Sequence, residues 1–302
     1  MARPTMILTR TKLIAPALVL GLGLALAPAS CRKEEPLDVA SAGPRAGEPS
    51  SAAAAAAATA SDPEPDESLP ADAPRIDVAF CMDATGSMGG VIERAKTKIE
   101  EIAAWMRRGM PKPRVRYGLV IFRDRGDGEV VKNFGFFTSP GAMKAALGEV
   151  VATGGGDLPE HVVAGLRAAV NDLPWDEAAV LRALFLIGDA EPHLDYGADS
   201  DPKPVLEAAR KKKIVVSTIA CGDMTVPGHR FWKEVAEATG GANQSLPGTS
   251  GTPALAEMEL EEAVYGTLRG EAEKAGVHYA GGEPVPDAPP PPPPSASRPA
   301  AP

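Results

Sequence analysis

Between Arg75 and Val277 the chain alternates short apolar runs with stretches in which apolar residues recur every three or four positions. Ile76 to Met82, "IDVAFCM", has the length and apolarity of a buried strand. After it, Met88, Ile92, Ala95, Ile99, Ile102 and Met106 fall in steps of four and three, one stripe of a helix, while Glu93, Arg94, Lys96, Lys98 and Glu100 lie off it. "RVRYGLVIF" (Arg114 to Phe122) and "GEVVKNFGFF" (Gly128 to Phe137) predict two further strands. Ser139 followed by Pro140 predicts a capped helix running through Val151, and Pro159 opens another that reaches about Val170. "LRALFLIGD" (Leu181 to Asp189) and "KIVVSTIACG" (Lys213 to Gly222) read as buried strands, with a helix over "PVLEAARKK" between them. "GHRFWKEVAEATGG" is a helix stopped at Gly240, followed by a short strand from Ala242 to Leu246 and a final amphipathic helix from Ala254 to Lys274.

Strand and helix in regular alternation, with strands apolar on both faces, imply an α/β fold: a Rossmann-like, doubly wound, mostly parallel sheet covered by helices on both faces. Sheets of this kind bind ligands beyond the carboxyl ends of their strands.

The flanking sequence changes the picture of where the domain sits. Met1 to Lys12 carries Arg3, Arg10 and Lys12 and no acid, Leu13 to Leu26 is apolar, and "APASC" follows at Ala27 to Cys31. This is the layout of a secretory signal, and its apolar core is shorter than the roughly 20 residues of a membrane span. Cys31, after small residues, resembles the acylated cysteine of a bacterial lipobox, although Pro28 stands where Leu is usual; cleavage after Ala29 and a retained anchor are the alternatives. Residues 1–31 are thus expected to be an export signal with a lipobox-like end, and the protein to reside in the cell envelope, anchored, periplasmic or secreted. Residues 32–74, rich in Ala, Pro, Ser and acid, read as an extended tether of some forty residues that can reach roughly 40 Å. Residues 278–302 form a proline-rich tail, and 75–277 remain for one domain. The formal net charge of −9 and the lack of a basic stripe with aromatics argue against nucleic acid. "RKKK", Arg210 to Lys213, suits a helix end, where cations favour the dipole. Cys81 and Cys221 end apolar runs and are expected to be buried free thiols, with a bridge as the alternative.

Three polar loops fall at strand ends or helix starts on the carboxyl edge: "DATGSM", "ATGGGDLPEH" and "LIGDAEPH". They can bring together Asp83, Thr85, Ser87, Asp157 and Asp189. The first alone could be a turn whose hydroxyls cap the next helix. A phosphate cradle would want amide donors and a Lys, and no G-x-x-x-x-G-K-[ST] loop occurs. Carboxylate and hydroxyl oxygens together suit a hard divalent cation such as Mg²⁺, with Mn²⁺ or Ca²⁺ as relatives, which keeps waters and can accept one more carboxylate.

On these residues the chain resembles the von Willebrand factor type A domain with a metal-ion-dependent adhesion site, in the setting of a bacterial exported lipoprotein. Asp83, Thr85 and Ser87 match the D-x-[ST]-x-S element, Asp189 matches the acid of the third loop, and Asp157 of "GGGD" stands for the second-loop residue, with Thr153 in reserve. The resemblance implies a non-enzymatic module that binds a protein partner through an acidic side chain. An Asp in the second loop would tighten the metal and lower that appetite for acid. Asp124 and His193 are expected in the outer shell of the site. Arg125-Gly126-Asp127 spells RGD but reads as a salt-bridged turn, and His161 and His229 read as residues at helix starts. The competing readings are a metal-assisted hydrolase or phosphatase, which needs a nucleophile or base beside the metal, and a metal-independent scaffold.

Overall fold

The computed structural model describes residues 69–156, 158–222, 224–246 and 253–279. The leader with Cys31, nearly all of the tether, the proline-rich tail and Asp157 lie outside the described residues. In chain order the elements are strand β1 (Arg75–Asp83), helix α1 (Gly89–Met106), strands β2 (Arg114–Phe122) and β3 (Val131–Phe137), helices α2 (Pro140–Gly148) and α3 (Val162–Asn171), strand β4 (Leu181–Gly188), helix α4 (Lys203–Lys211), strand β5 (Val215–Cys221), helix α5 (Val226–Thr239), strand β6 (Asn243–Leu246) and helix α6 (Pro253–Lys274). No helix among the described residues is long and apolar enough to cross a membrane.

The strands form one sheet of six in the order β3-β2-β1-β4-β5-β6. All neighbours are parallel except β3, which runs antiparallel to β2. The connection 123–130 explains that exception, because it is shorter than the dozen or so residues a parallel crossover needs. The period of two along β1 then sorts the core. Val78, Phe80 and Met82 face the layer that holds buried residues of α1, α2 and α6, while Ala79 and Cys81 face α3, α4 and α5. Phe80 and Phe185 stack across the β1–β4 boundary with ring centroids 5.5 Å apart.

Cys81 and Cys221 are both free and buried, and they belong to opposite faces of the sheet. Burial pushes the Cys221 thiol up to about 12 and raises Cys81 as well, where the nearby Asp83 adds to the effect. Neither thiol is therefore a nucleophile at neutral pH.

Several boundaries depart from those the sequence predicts, and the departures share a cause. Helix α2 ends at Gly148 rather than Val151, because the following segment is drawn away to hydrogen-bond the loop after β1: the Thr153 amide donates to the Ala84 carbonyl and Gly86 to Gly154. Helix α3 opens at Val162 with His161 as its first flanking residue, so Pro159 does not begin it. The backbone of Glu160 is occupied instead in a short parallel bridge with Pro192. The strand predicted from Gly128 begins at Val131, after a turn in which Gly126 and Gly128 have positive φ. Helix α5 closes as expected, with Gly240 left-handed at φ 79°.

Candidate metal centre

The connections divide the sheet between β1 and β4. From β1 the chain winds outward through α1 to β2, and from β4 it winds the other way to β5. The crevice beyond the strand ends opens at such a reversal. Asp83 ends β1 on one side of it and Asp189 follows β4 on the other.

The first loop is organised by Asp83. Its Oδ1 accepts the Thr85 amide at 2.8 Å and the Thr85 hydroxyl at 2.7 Å, with both residues buried. Thr85 Oγ1 lies 3.3 Å from Ser87 Oγ, and Ser87 in turn is near enough to the Asp189 carboxyl to oppose the rise in its pKa. One chain of polar contacts thus runs from the end of β1 to the end of β4. The expectation that these hydroxyls cap a helix is not met. Neither the 3₁₀ turn Gly86–Met88 nor α1 receives a side-chain cap bond, because the oxygens that would cap are turned toward the carboxylates.

The second loop packs over this pair. Buried Arg123 ties the loops together, donating through Nε to Ala84 O at 3.1 Å and through Nη2 to Val151 O at 2.8 Å. Gly155 has φ +73°, and a Cβ there would stand 2.9 Å from the Thr85 Cβ and 3.2 Å from Glu160 Oε1. Only glycine permits so close a crossing. Its amide donates to Asp127 Oδ2 at 3.0 Å. Thr153 is exposed and enters the network through its amide.

Glu160 does not stand out in the sequence. It is 1% exposed, and its backbone is clamped from both sides by the third loop, its amide donating to Glu191 O and its carbonyl accepting from the His193 amide. An acid next to a helix start ordinarily reads as favourable to the helix dipole. The one sequence signal was its place in "GGGDLPEH", one residue before the helix entry.

Three buried carboxylate oxygens at this edge, Asp83 Oδ2, Asp189 Oδ1 and Glu160 Oε2, have no hydrogen-bond partner. Burial is the main reason their acidity is weakened. It pushes Asp83 up to about 7 against the opposing Thr85 bonds, and Glu160 up to about 8 with Asp83, Asp124, Asp127 and Asp189 adding repulsion. Asp189 is raised too, again chiefly by burial, with Ser87 opposing. Buried acids without donors are costly, and a cation relieves that cost. The donor set, carboxylate and hydroxyl oxygen with no thiolate or imidazole in the β1 loop, fits a hard ion. No three His, Cys, Asp or Glu side chains among the described residues are grouped to hold a metal by themselves. A cation here would thus draw on Thr85, Ser87 and its own waters as well.

Both Asp83 and Glu160 have folded pKa values above their ordinary 3.8 and 4.5, so without metal the folded state binds the extra protons. Their contribution to stability is therefore lost as pH rises from about 4.5 to about 8. The melting temperature in EDTA should fall over that range relative to the same protein in Mg²⁺, and the gap should widen toward pH 8. Parallel curves in calorimetric melts would refute the charge assignment.

Beside the centre stands an aromatic and charged wall. The Tyr196 hydroxyl donates to Asp124 Oδ2 at 2.8 Å, its ring stacks on His193 with centroids 4.1 Å apart, and His161 meets it edge-on at 5.0 Å. His193 Nε2 is 3.6 Å from Asp124 Oδ2, which places both expected outer residues beside the third loop. Arg125 lies over the Tyr196 ring and pairs with Asp199 at 2.8 Å, while Asp127 holds Gly155. The RGD tripeptide is thus the salt-bridged turn expected of it. His229 lies in the first turn of α5, its amide bonded to Thr225 O.

The model of the von Willebrand factor A domain family matches residues 77–254. Human von Willebrand factor A domain-containing protein 7 is 38% identical over 120 residues, 39% of this chain and 12% of that protein. Mouse Hemicentin-2 is 27% identical over 207 residues, 67% of this chain and 4% of that protein. The chain therefore corresponds to a small part of each. Among solved structures, proximal thread matrix protein 1 from the mussel byssus aligns at TM-score 0.48 and 18% identity, covering 65% of this chain and 46% of that one. BatB from Bacteroides thetaiotaomicron aligns at TM-score 0.40 and 16% identity, covering 63% and 99%. Because the family model spans more than half of the sequence, this chain belongs to the von Willebrand factor A domain family.

Proposed function

We propose that this chain is an exported, membrane-tethered binding module. It holds a divalent cation, Mg²⁺ or a similar ion, through Asp83, Thr85, Ser87 and Asp189, and offers the ion's open position to a carboxylate of a protein partner. Family membership supports the coarse part of this reading, a domain that binds protein. The metal rests on one observation above the others: buried carboxylates on either side of the strand-order reversal carry oxygens with no donor. When bound, the ion would supply a Lewis-acidic position that ligates an acidic side chain. The protein's own part is to set the two acids by the Thr85 and Ser87 hydroxyls and to wall the site with Tyr196 and His193. Export and anchoring rest on the leader-like sequence ending at Cys31.

The module reading is favoured over a hydrolase because Thr85 and Ser87, the hydroxyls of the first loop, serve as ligands of the ion in this arrangement, and family membership supports a binding domain. A retained cell-envelope partner should bind the full-length chain in excess Mg²⁺ and be released by EDTA. Titration calorimetry with Mg²⁺ should show one saturable site. Equal capture in Mg²⁺ and EDTA, or no heat of Mg²⁺ binding, would sink the metal-dependent reading.

A further inference from the structure

The proposed centre draws its acids from the first and third loops. The second loop crosses directly over Thr85, and the carboxylate it presents at that crossing is Glu160: the position a Cβ on Gly155 would take is 2.9 Å from Thr85 Cβ and 3.2 Å from Glu160 Oε1. Glu160 is a buried residue, and its Oε2 has no hydrogen-bond partner. Among the described residues, neither a salt bridge nor a side-chain hydrogen bond explains why an acid is there. It is surrounded by acids instead, within electrostatic reach of Asp83, Asp124, Asp127 and Asp189.

A residue in such surroundings needs strong fixing, and the backbone provides it. The Glu160 amide bonds Glu191 O at 2.8 Å and its carbonyl accepts the His193 amide at 2.8 Å, a bridge that locks the second loop to the third two residues beyond Asp189. Helix α3 begins only after this bridge, at Val162. The side chain is thus delivered to the crevice by the same contact that joins the two loops.

We propose that Glu160 is the second loop's contribution to the metal centre, a positioning carboxylate that holds the cation's bound water rather than an acid serving helix α3. This rests on the metal-binding reading above. Mg²⁺ dehydrates reluctantly and keeps several waters, so an acid just outside ligand range still binds the hydrated ion through them. That accounts for the lack of a three-acid cage of direct ligands among the described residues. A third carboxylate also gives the loaded site a formal charge of −1 (2 − 3, from Asp83, Asp189 and Glu160). The ion is retained more firmly, and an acidic ligand gains less from it.

The test is Mg²⁺ titration calorimetry on the full-length chain, with thermal melts in EDTA and in Mg²⁺. Glu160→Gln should weaken Mg²⁺ by about 10- to 100-fold, as outer-shell partners do. In EDTA it should melt at or above the wild-type temperature, since a buried acid among acids has gone; a carboxylate that only supported the fold would melt lower. Glu160→Asp keeps the charge on a shorter arm and should recover part of the affinity, and it serves as the folded comparator should Gln disturb the loop. Asp83→Asn separates the two levels of the argument. If it and Glu160→Gln both bind Mg²⁺ as the wild type does, the metal reading itself fails. If Asp83→Asn loses Mg²⁺ while Glu160→Gln keeps it, or Asp157→Asn carries the loss instead, the centre stands and the role of Glu160 is overturned.

Discussion

Asp83→Ala should abolish measurable Mg²⁺ binding, weakening affinity by more than about 100-fold, because loss of an outer-shell partner alone costs 10- to 100-fold. Asp83 does two things at once. Its Oδ1 fixes Thr85 through amide and hydroxyl, and its Oδ2 is the buried oxygen without a donor. Alanine removes both, and leaves the buried Thr85 donors unsatisfied at a cost of about 1–3 kcal/mol. Relief of repulsion against Asp189 offsets part of this in the metal-free protein. The companion Asp83→Asn retains an acceptor for Thr85, so it should keep the fold and still lose the ion. Calorimetric titration together with circular-dichroism melts separates these effects. Unchanged Mg²⁺ affinity in a folded Asp83→Ala protein would end the assignment of Asp83 as the anchor.

Trp232→Ala should be the most destabilising single change at this edge, about 3–5 kcal/mol by urea denaturation. Trp232 is fully buried, its Nε1 donates to Ala190 O at 3.0 Å, and its ring lies where a Cβ on Gly188 would be only 2.9 Å away. Gly188 and Ala190 bracket Asp189, so the indole is the wedge that sets the third loop's exit from β4. Removing it opens a cavity and orphans a carbonyl, and Mg²⁺ affinity should fall with stability as Asp189 loses its support. Trp232→Phe keeps most of the ring and gives up the N–H bond, and should cost about 1–3 kcal/mol. An Ala variant within about 0.5 kcal/mol of wild type would be ordinary for a surface site and would contradict this role.

The fold was legible because burial writes a local period into the chain. Apolar runs of strand length bounded by polar loops, such as Leu181 to Gly188, read as strands covered on both sides, and the α1 stripe from Ile92 to Met106 faces one layer. Asp83, Thr85, Ser87 and Asp189 were legible for a related reason: each stands at or just past a strand end, where the pattern changes from buried to polar. Element ends were less so. Helix α2 stops at Gly148 and α3 starts at Val162, since the segment between them is held by loops far away in sequence.

The helix-cap reading of Thr85 and Ser87 failed on the same ground. A hydroxyl near a helix start can turn its oxygen to accept from the free amides of the first turn or point its O–H at a nearby carboxylate, and here Thr85 donates to Asp83 and caps no helix. Glu160 and Arg123 escaped notice because each looks ordinary in its own neighbourhood, an acid beside a helix and a base after a strand. Their meaning comes from partners elsewhere: Ala84 and Val151 for Arg123, Glu191 and His193 for Glu160. By itself the sequence determined the layers, the strands and the oxygen-rich character of one edge, all set by the period of burial within a dozen residues. Tertiary structure alone decided which acids meet, because the order β3-β2-β1-β4-β5-β6 places β1 beside β4, and hydrogen bonds between the three loops then turn distant carboxylates toward one another.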